Sequence, residues 1–338
     1  MTRAPASRVD GPATEVVGRV RTVLGDVLAS ALGRTYLHEH LIIDSPLVTD
    51  RMEHIHLPSV EDAASEVTAC RAAGVDAMVD AMPCASGRDV VRLAEVSRRT
   101  GVHVVAVTGL HTARYYPGQP WTRETDVGTL AALFRADVED GIDAWDYTGP
   151  VVRRTVHRAG MVKAATLGPV PDDAERRSFE AAAEVMRTTG VPMLTHCEAG
   201  EGAVGHLEVL RAVGAPLHRV VISHTDKRAD LGYHRELLTA GVNLEYDQAL
   251  RQDPDERRGT AWLVYELVSE GFGAQLMLGT DGARRSLWSS LGGGPGLAWL
   301  ASGFPAVLAG WGIGSDTIEQ LFVANPARVL ALADDQST

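Results

Sequence analysis

Short β-rich runs of four to eight residues recur along the chain. Each is followed by a polar loop and then an amphipathic stretch. The runs fall at residues 35–41, 77–80, 102–109, 160–165, 191–196, 219–224, 242–246 and 275–281. Between them lie helical patterns such as 61–73, stopped by Gly74, and 90–99. Strands that alternate with helices mean βα units and a parallel sheet. Eight such units predict an α/β fold, a (β/α)8 TIM barrel. A doubly wound sheet is the alternative, but it needs fewer strands and usually a glycine-rich phosphate loop after the first. The longest connection, between the third and fourth runs, is expected to hold a loop at Tyr115-Tyr116-Pro117-Gly118 and an extra helix over 127–140. Ahead of the repeat, residues 17–32 predict a small β-hairpin, 19–23 and 26–30 around Leu24-Gly25, capping the bottom of the barrel. Residues 1–15 are polar and aperiodic and read as a flexible tail, leaving 16–338 as one domain.

Composition narrows the class. A chain of 338 residues suits one barrel of ~250 residues plus insertions. Apolar residues make up 45% and aromatics only 5%, so Ala, Val, Leu and Gly must build the core. The net charge of −12 argues against nucleic acid or an anionic membrane as partner, since no basic run could neutralise phosphates. No apolar stretch approaches the ~20 residues of a membrane span, and no charged-then-apolar leader opens the sequence. Cys70, Cys84 and Cys197 are odd in number and form no CxxC, which makes a reducing cytoplasm the default location.

The candidate chemistry lies at the ends of the runs. His38 and His40 are two apart, so on a strand they face one side while Glu39 faces the other. Two imidazoles presented together begin a metal site. His196 ends the fifth strand in Thr-His-Cys-Glu, His224 the sixth in Ser-His-Thr-Asp, and Asp281 the eighth in Gly-Thr-Asp-Gly. In this barrel, strand C-termini carry function. Lys163 lies within the fourth strand among Met161, Val162, Ala164 and Ala165. A lysine aimed into an apolar barrel should have a lowered pKa. A neutral amine beside divalent metals can take up CO2 as a carbamate, whose two oxygens can bridge two cations. A lysine snorkelling to the mouth or paired with a carboxylate is the alternative.

His38-Glu39-His40, Val162-Lys163-Ala164, Thr195-His196, Ser223-His224-Thr225-Asp226, Gly279-Thr280-Asp281 and Asn325-Pro326-Ala327-Arg328 together resemble the phosphotriesterase family of the amidohydrolase superfamily. The likeness runs from about Gly18 to Leu332 and favours its lactonase-like branch. It implies a binuclear metal-dependent hydrolase. By that likeness His38, His40 and Asp281 hold the more buried metal, His196 and His224 the more exposed one, and carbamylated Lys163 and a hydroxide bridge them. Two divalent metal ions per chain follow, Zn2+ suiting the ligands and Mn2+ or Co2+ also fitting. Asp281 is then expected to take the hydroxide proton and pass it to the leaving oxygen. The resemblance also implies a homodimer.

The stretch from Asp281 to Trp288, followed by Gly292–Gly296, looks most like the sugar-lactone branch, in which an arginine here and a basic residue after strand seven bind substrate phosphate. Arg284 and Arg251 match these positions, with Arg285 as a neighbour that could serve instead. A tyrosine usual in that branch is Leu287 here. Trp288, Tyr115 and Tyr116 could instead line an apolar pocket for an acyl chain. His111 and Arg114, on the loop after strand three, could touch substrate. The substrate-binding candidates are thus Arg251, Arg284, Arg285, Tyr115, Trp288 and His111. A second pair, His54 and His56, reads as surface or entrance residues. Asp80 reads as a partner for a ligand histidine or as a strand-end cap, and Asp226 as a group orienting His224 or the loop beyond it. The expected activity is a lactonase on a polar or sugar-derived lactone, possibly phosphorylated. The alternatives are an organophosphate triesterase, an acyl-homoserine-lactone lactonase, or a metal-retaining binding module without activity.

Overall fold

The computed structural model describes residues 17–253 and 257–333. The expected tail, 1–15, lies outside the described residues. The chain opens with β1 (Arg19–Thr22) and β2 (Gly25–Leu28), an antiparallel hairpin. Eight parallel strands follow: β3 (Thr35–Glu39), β4 (Ala77–Asp80), β5 (His103–Gly109), β6 (Ala159–Thr166), β7 (Met193–Cys197), β8 (Val220–Ser223), β9 (Asn243–Tyr246) and β10 (Leu276–Leu278). They hydrogen-bond in sequence order from β3 to β10. The N–H groups of Thr280 and Asp281 donate to the His38 carbonyl, at 3.2 and 2.9 Å, and bring the last strand back to the first. This is the TIM barrel that the alternation of runs predicts. The hairpin lies at the bottom: Val23 N–H donates to the carbonyl of Val104, at the start of β5.

The helices between strands begin where polar side chains can take up free N–H groups. Ser59, Asp89 and Asp126 cap Val60–Ala72, Val90–Thr100 and Val127–Glu139, and Asp172 forms a full capping box with Glu175 on Asp173–Thr189. Along the strands, residues alternate between the helix layer and the barrel interior. Ala77, Val79, Val105, Val107, Met161, Leu194, Val221 and Met277 fill the lower interior as one apolar cluster. Two positions further up β6, β7 and β8, the same face carries Lys163, His196 and Ser223. The apolar plug therefore ends where the polar layer begins. Gly109 is required at this height. Its φ is +96°, and a Cβ there would collide with the backbone of Lys163 on the neighbouring strand.

Strand ends differ from expectation by one to three residues. The eighth strand was expected over 275–281, but β10 stops at Leu278, so Asp281 belongs to the loop. His224 also falls just beyond β8. Both adopt positive φ, +66° for His224 and +44° for Asp281. Side chains other than glycine seldom hold that conformation, and where they do it marks a site fixed by its surroundings.

Candidate metal centre

Six side chains converge at the C-terminal mouth of the barrel. His38, His40, Lys163, His196 and His224 are buried, and Asp281 is one-fifth exposed. The rings of His38 and His40 lie 5.3 Å apart, those of His38 and His224 4.8 Å, and those of His196 and His224 4.5 Å. Asp281 Oδ1 is 3.5 Å from His40 Nε2 and 4.0 Å from His38 Nε2. The ligand atoms of His38, His40 and Asp281 lie within 4.8 Å of one another, as do those of His38, His224 and Asp247.

Two observations test whether these residues fit a metal. His38 Nε2 and His40 Nδ1 are buried without a hydrogen-bond partner among the described residues, which is costly unless something else takes up the lone pair. The second concerns His196 and His224. Asp247 Oδ2 accepts from His224 Nδ1 at 2.5 Å, and Glu198 Oε2 from His196 Nε2 at 3.2 Å. A carboxylate acceptor keeps the proton on the nitrogen it faces. His224 Nε2 and His196 Nδ1 are then both lone-pair nitrogens, and they face each other at 2.8 Å. A cation between them removes the repulsion. The donor set therefore fits divalent metals with imidazole and carboxylate ligands.

Burial lowers the pKa of three histidines here. Loss of water, followed by the Lys163 charge, holds His38 well below its ordinary pKa, and burial does the same to His196 and His111. Asp281 is held well below the usual carboxylate range: burial would raise it, but the hydrogen bond from His40 and the charges of His224, His38 and Arg251 outweigh that. Lys163 is fully buried, its Nζ donates to the Ala81 carbonyl at 2.8 Å, and burial pushes its pKa down to about 8.

A cavity of about 310 Å3 opens above this cluster. Arg251, Arg284, Tyr115 and His111 line it, together with Arg114, Lys227 and Glu198. Arg251 is largely committed: its guanidinium donates to the carbonyls of Asp247 (2.8 Å), Thr280 (2.7 Å) and Asp281 (2.5 Å), tying the ends of β9 and β10 together. The Arg284 side chain is exposed and has no hydrogen bond or ion pair among the described residues. Two expected substrate residues stand elsewhere. Trp288 is buried in the core, its indole N–H donating to the Gly282 carbonyl at 2.6 Å, because the short turn of Arg285–Leu287 folds it under the loop. Arg285 turns outward and donates to the His56 carbonyl at 2.7 Å. His54 lies on the cavity wall, whereas His56 pairs with Asp44.

The supporting residues are partly unforeseen. Asp80 is a strand-end cap, accepting from the N–H groups of Leu41 and Met82. Asp226 accepts from the N–H groups of Asp247 and Gln248 and from Thr260, so it shapes the loop after β9 and leaves His224 to Asp247. Glu245, 3.5 Å from His38 Nδ1, is fully buried and its carboxyl is raised well above the usual range, by burial first and then by the neighbouring Asp247. Glu245 and Asp247 alternate at the end of β9 as His38 and His40 do at β3. That period-two acidic pair was the signal in the sequence.

A barrel with histidines and a carboxylate gathered at its C-terminal mouth defines a class of metal-dependent hydrolase. The phosphotriesterase family matches residues 18–330, and the chain belongs to that family. A phospho-furanose lactonase of Mycoplasmopsis synoviae is 30% identical over 94% of this chain and 93% of its own. The crystal structure of a lactonase from Listeria monocytogenes superposes with a TM-score of 0.85 at 26% identity, covering 94% of this chain and all of that one. The phosphotriesterase homology protein of Escherichia coli, crystallised with phosphate in its active site, gives 0.80 at 25% identity, covering 88% and 99%.

Proposed function

We propose that the chain is a lactonase acting on a sugar-derived lactone that carries an anionic, phosphorylated arm. One observation carries the substrate class. The cavity wall holds four cations, Arg114, Lys227, Arg251 and Arg284, against two carboxylates, Glu198 and Asp281, in a chain whose net charge is −12. Such a mouth draws in and orients anions. The relatives named phospho-furanose lactonase and lactonase support the same class.

In this reading His38, His40 and Asp281 would hold one divalent ion and His196 and His224 a second, with a carbamylated Lys163 as a further ligand and Zn2+ the best match. When bound, such ions acidify a water molecule and polarise the lactone carbonyl. The chain's own groups do the rest. Asp281 is held in its ionised form, so it can accept the proton of the attacking water and return it to the alkoxide that leaves on ring opening. Arg284, free at the mouth, fixes the anionic arm far from the bond that breaks, and so orients the carbonyl. Asp247 and Glu198 keep the imidazoles in one tautomer. The free, buried Cys70, Cys84 and Cys197 suit the cytoplasm, and a homodimer belongs to the same reading.

A second reading has its own support. Ile43, Met52, Ile55, Met82 and Tyr115 form an apolar side of the cavity that would suit an acyl chain. A pH-indicator screen of phosphorylated and plain sugar lactones, acyl-homoserine lactones and aryl phosphotriesters separates the two. The phosphorylated sugar lactone should turn over fastest. Arg284→Ala should lower kcat/KM for that substrate by a factor worth ~1.5–3 kcal/mol, the scale of a hydrogen bond to a charged group, with metal content unchanged. If acyl lactones turn over faster and neither Arg251 nor Arg284 matters, the anionic-arm reading is wrong.

A further inference from the structure

The two carboxylates that hold His196 and His224 differ in setting. Asp247 is fully buried. Glu198 is one-third exposed, lies on the cavity wall, and has a second partner: Arg114 approaches its Oε2 through Nη2 at 3.0 Å and its Oε1 through Nη1 at 3.4 Å. The Arg114 guanidinium in turn sits 5.4 Å from the centre of the Tyr115 ring. One carboxylate thus stands between an imidazole at the floor of the cavity and a cation at its mouth.

We propose that Glu198 is a positioning residue that couples Arg114 to the ion-holding face of His196. The inference rests on the assignment of His196 and His224 as metal ligands. Acceptance at Nε2 leaves the Nδ1 lone pair of His196 directed at His224 Nε2, and a ring released from Glu198 can turn that lone pair away. The loop that carries Glu198 is held from behind. Ala199, Gly200 and Gly202 all have positive φ, and a Cβ on Gly200 would press on the His224 carbonyl and on Lys227. Glu198 is therefore placed by the same packing that places His224. Arg114, on the loop after β5, connects to His196 by hydrogen bonds through this carboxylate, and by ring packing through Tyr115 and His111.

The test compares metal binding with substrate kinetics. Metal-free wild type, Glu198→Ala, Glu198→Gln, Arg114→Ala and His196→Ala are titrated with Co2+ against a chromogenic chelator, and the visible spectrum of the bound Co2+ is recorded. Thermal denaturation checks folding. If Glu198→Ala is not folded, Glu198→Thr carries the same test. Glu198→Ala should bind one of its two ions 10–100-fold more weakly and change the Co2+ spectrum, the usual effect of losing the carboxylate behind a ligand histidine. Glu198→Gln, whose carbonyl can still accept from Nε2–H, should recover most of that loss. Arg114→Ala should leave both ions in place and raise KM, and that rise should vanish in the Glu198→Ala background. If Glu198→Ala binds both ions as wild type does while His196→Ala loses one, Glu198 is not a positioning residue. If His196→Ala also keeps both ions, the ligand assignment itself fails, and the proposal with it.

Discussion

Lys163 shows how a single side chain is set by its surroundings. It has no exposed surface, and among the described residues its amine reaches only the Ala81 carbonyl by hydrogen bond. Burial lowers its pKa to about 8, although Asp281, Asp80, Glu245 and Asp247 all pull the other way. Near neutral pH a useful fraction of that amine is unprotonated, the form that attacks CO2. Lys163→Ala should therefore bind one ion per chain in elemental analysis and lose most activity. Added CO2 with a short carboxylic acid should partly restore both. Full metal content and full activity in this variant would make the lysine structural. Arg251 illustrates the opposite outcome. Its position after β9 suits a substrate cation, but the carbonyls of Asp247, Thr280 and Asp281 occupy its donors, which leaves Arg284 as the freer group.

The segment between Val127–Glu139 and β6 shows the same logic at the level of an element. It is the long connection that separates two otherwise regular βα units, and a buried ionic network anchors it. Arg88 donates to Asp137 and Asp146, at 3.2 and 2.8 Å, and to the Val107 carbonyl at 2.7 Å. Tyr147 and Arg154 bond Asp137 from its other side. Asp146 and Tyr147 both hold positive φ, so this anchoring also sustains an unfavourable backbone. The network borders the site. Cys84 contacts Asp137, and the Tyr116 hydroxyl donates to the Cys84 carbonyl while accepting from His111 N–H. Arg88→Met would strip buried Asp146 of its cation and leave Asp137 with Arg154 alone, and should cost ~3–5 kcal/mol in urea unfolding. Removing the exposed Arg98–Glu95 pair should change stability by less than ~1 kcal/mol.

For the whole molecule, acid stability follows from groups buried in their neutral forms. His206 bridges Thr166 and Thr195 inside the fold, and burial lowers its pKa to about 3. Below about 6.5 the unfolded chain gains a proton that the native chain refuses. The stabilising contribution of His206 is thus complete above 6.5 and falls as the pH drops towards 3, at up to ~1.4 kcal/mol per pH unit. Glu39 and Asp226 act with the opposite sign. Burial raises their carboxyls to about 8 and about 7, so the native state holds their protons and gains stability as the pH falls towards 4. The difference between wild type and His206→Gln isolates one group. Their stability gap, measured by urea midpoints at pH 7, 6, 5 and 4, should narrow steadily below 6.5. A gap independent of pH would show that His206 titrates alike in both states.

Strand order, the barrel and the six converging residues follow from the sequence, because they depend on local periods. Runs that alternate with helices build a parallel sheet, and residues at or just beyond the strands' C-terminal ends gather at the mouth. β4, over Ala77–Asp80, falls where its run predicts. What local pattern could not decide is which groups meet across the barrel. Asp247 lies 23 residues from His224 in the chain yet accepts its proton, and Glu39 holds Thr280 across a separation of 241. Trp288 and Arg285 stood in a loop whose composition suited substrate, but a short turn folded one into the core and the other outward. Long-range pairing of polar groups is fixed by the closure of the barrel, which places side chains within 3 Å of one another whatever their distance along the chain. The identity of each residue at the mouth is a local property of the sequence, and the identity of its partner is a property of the closed structure.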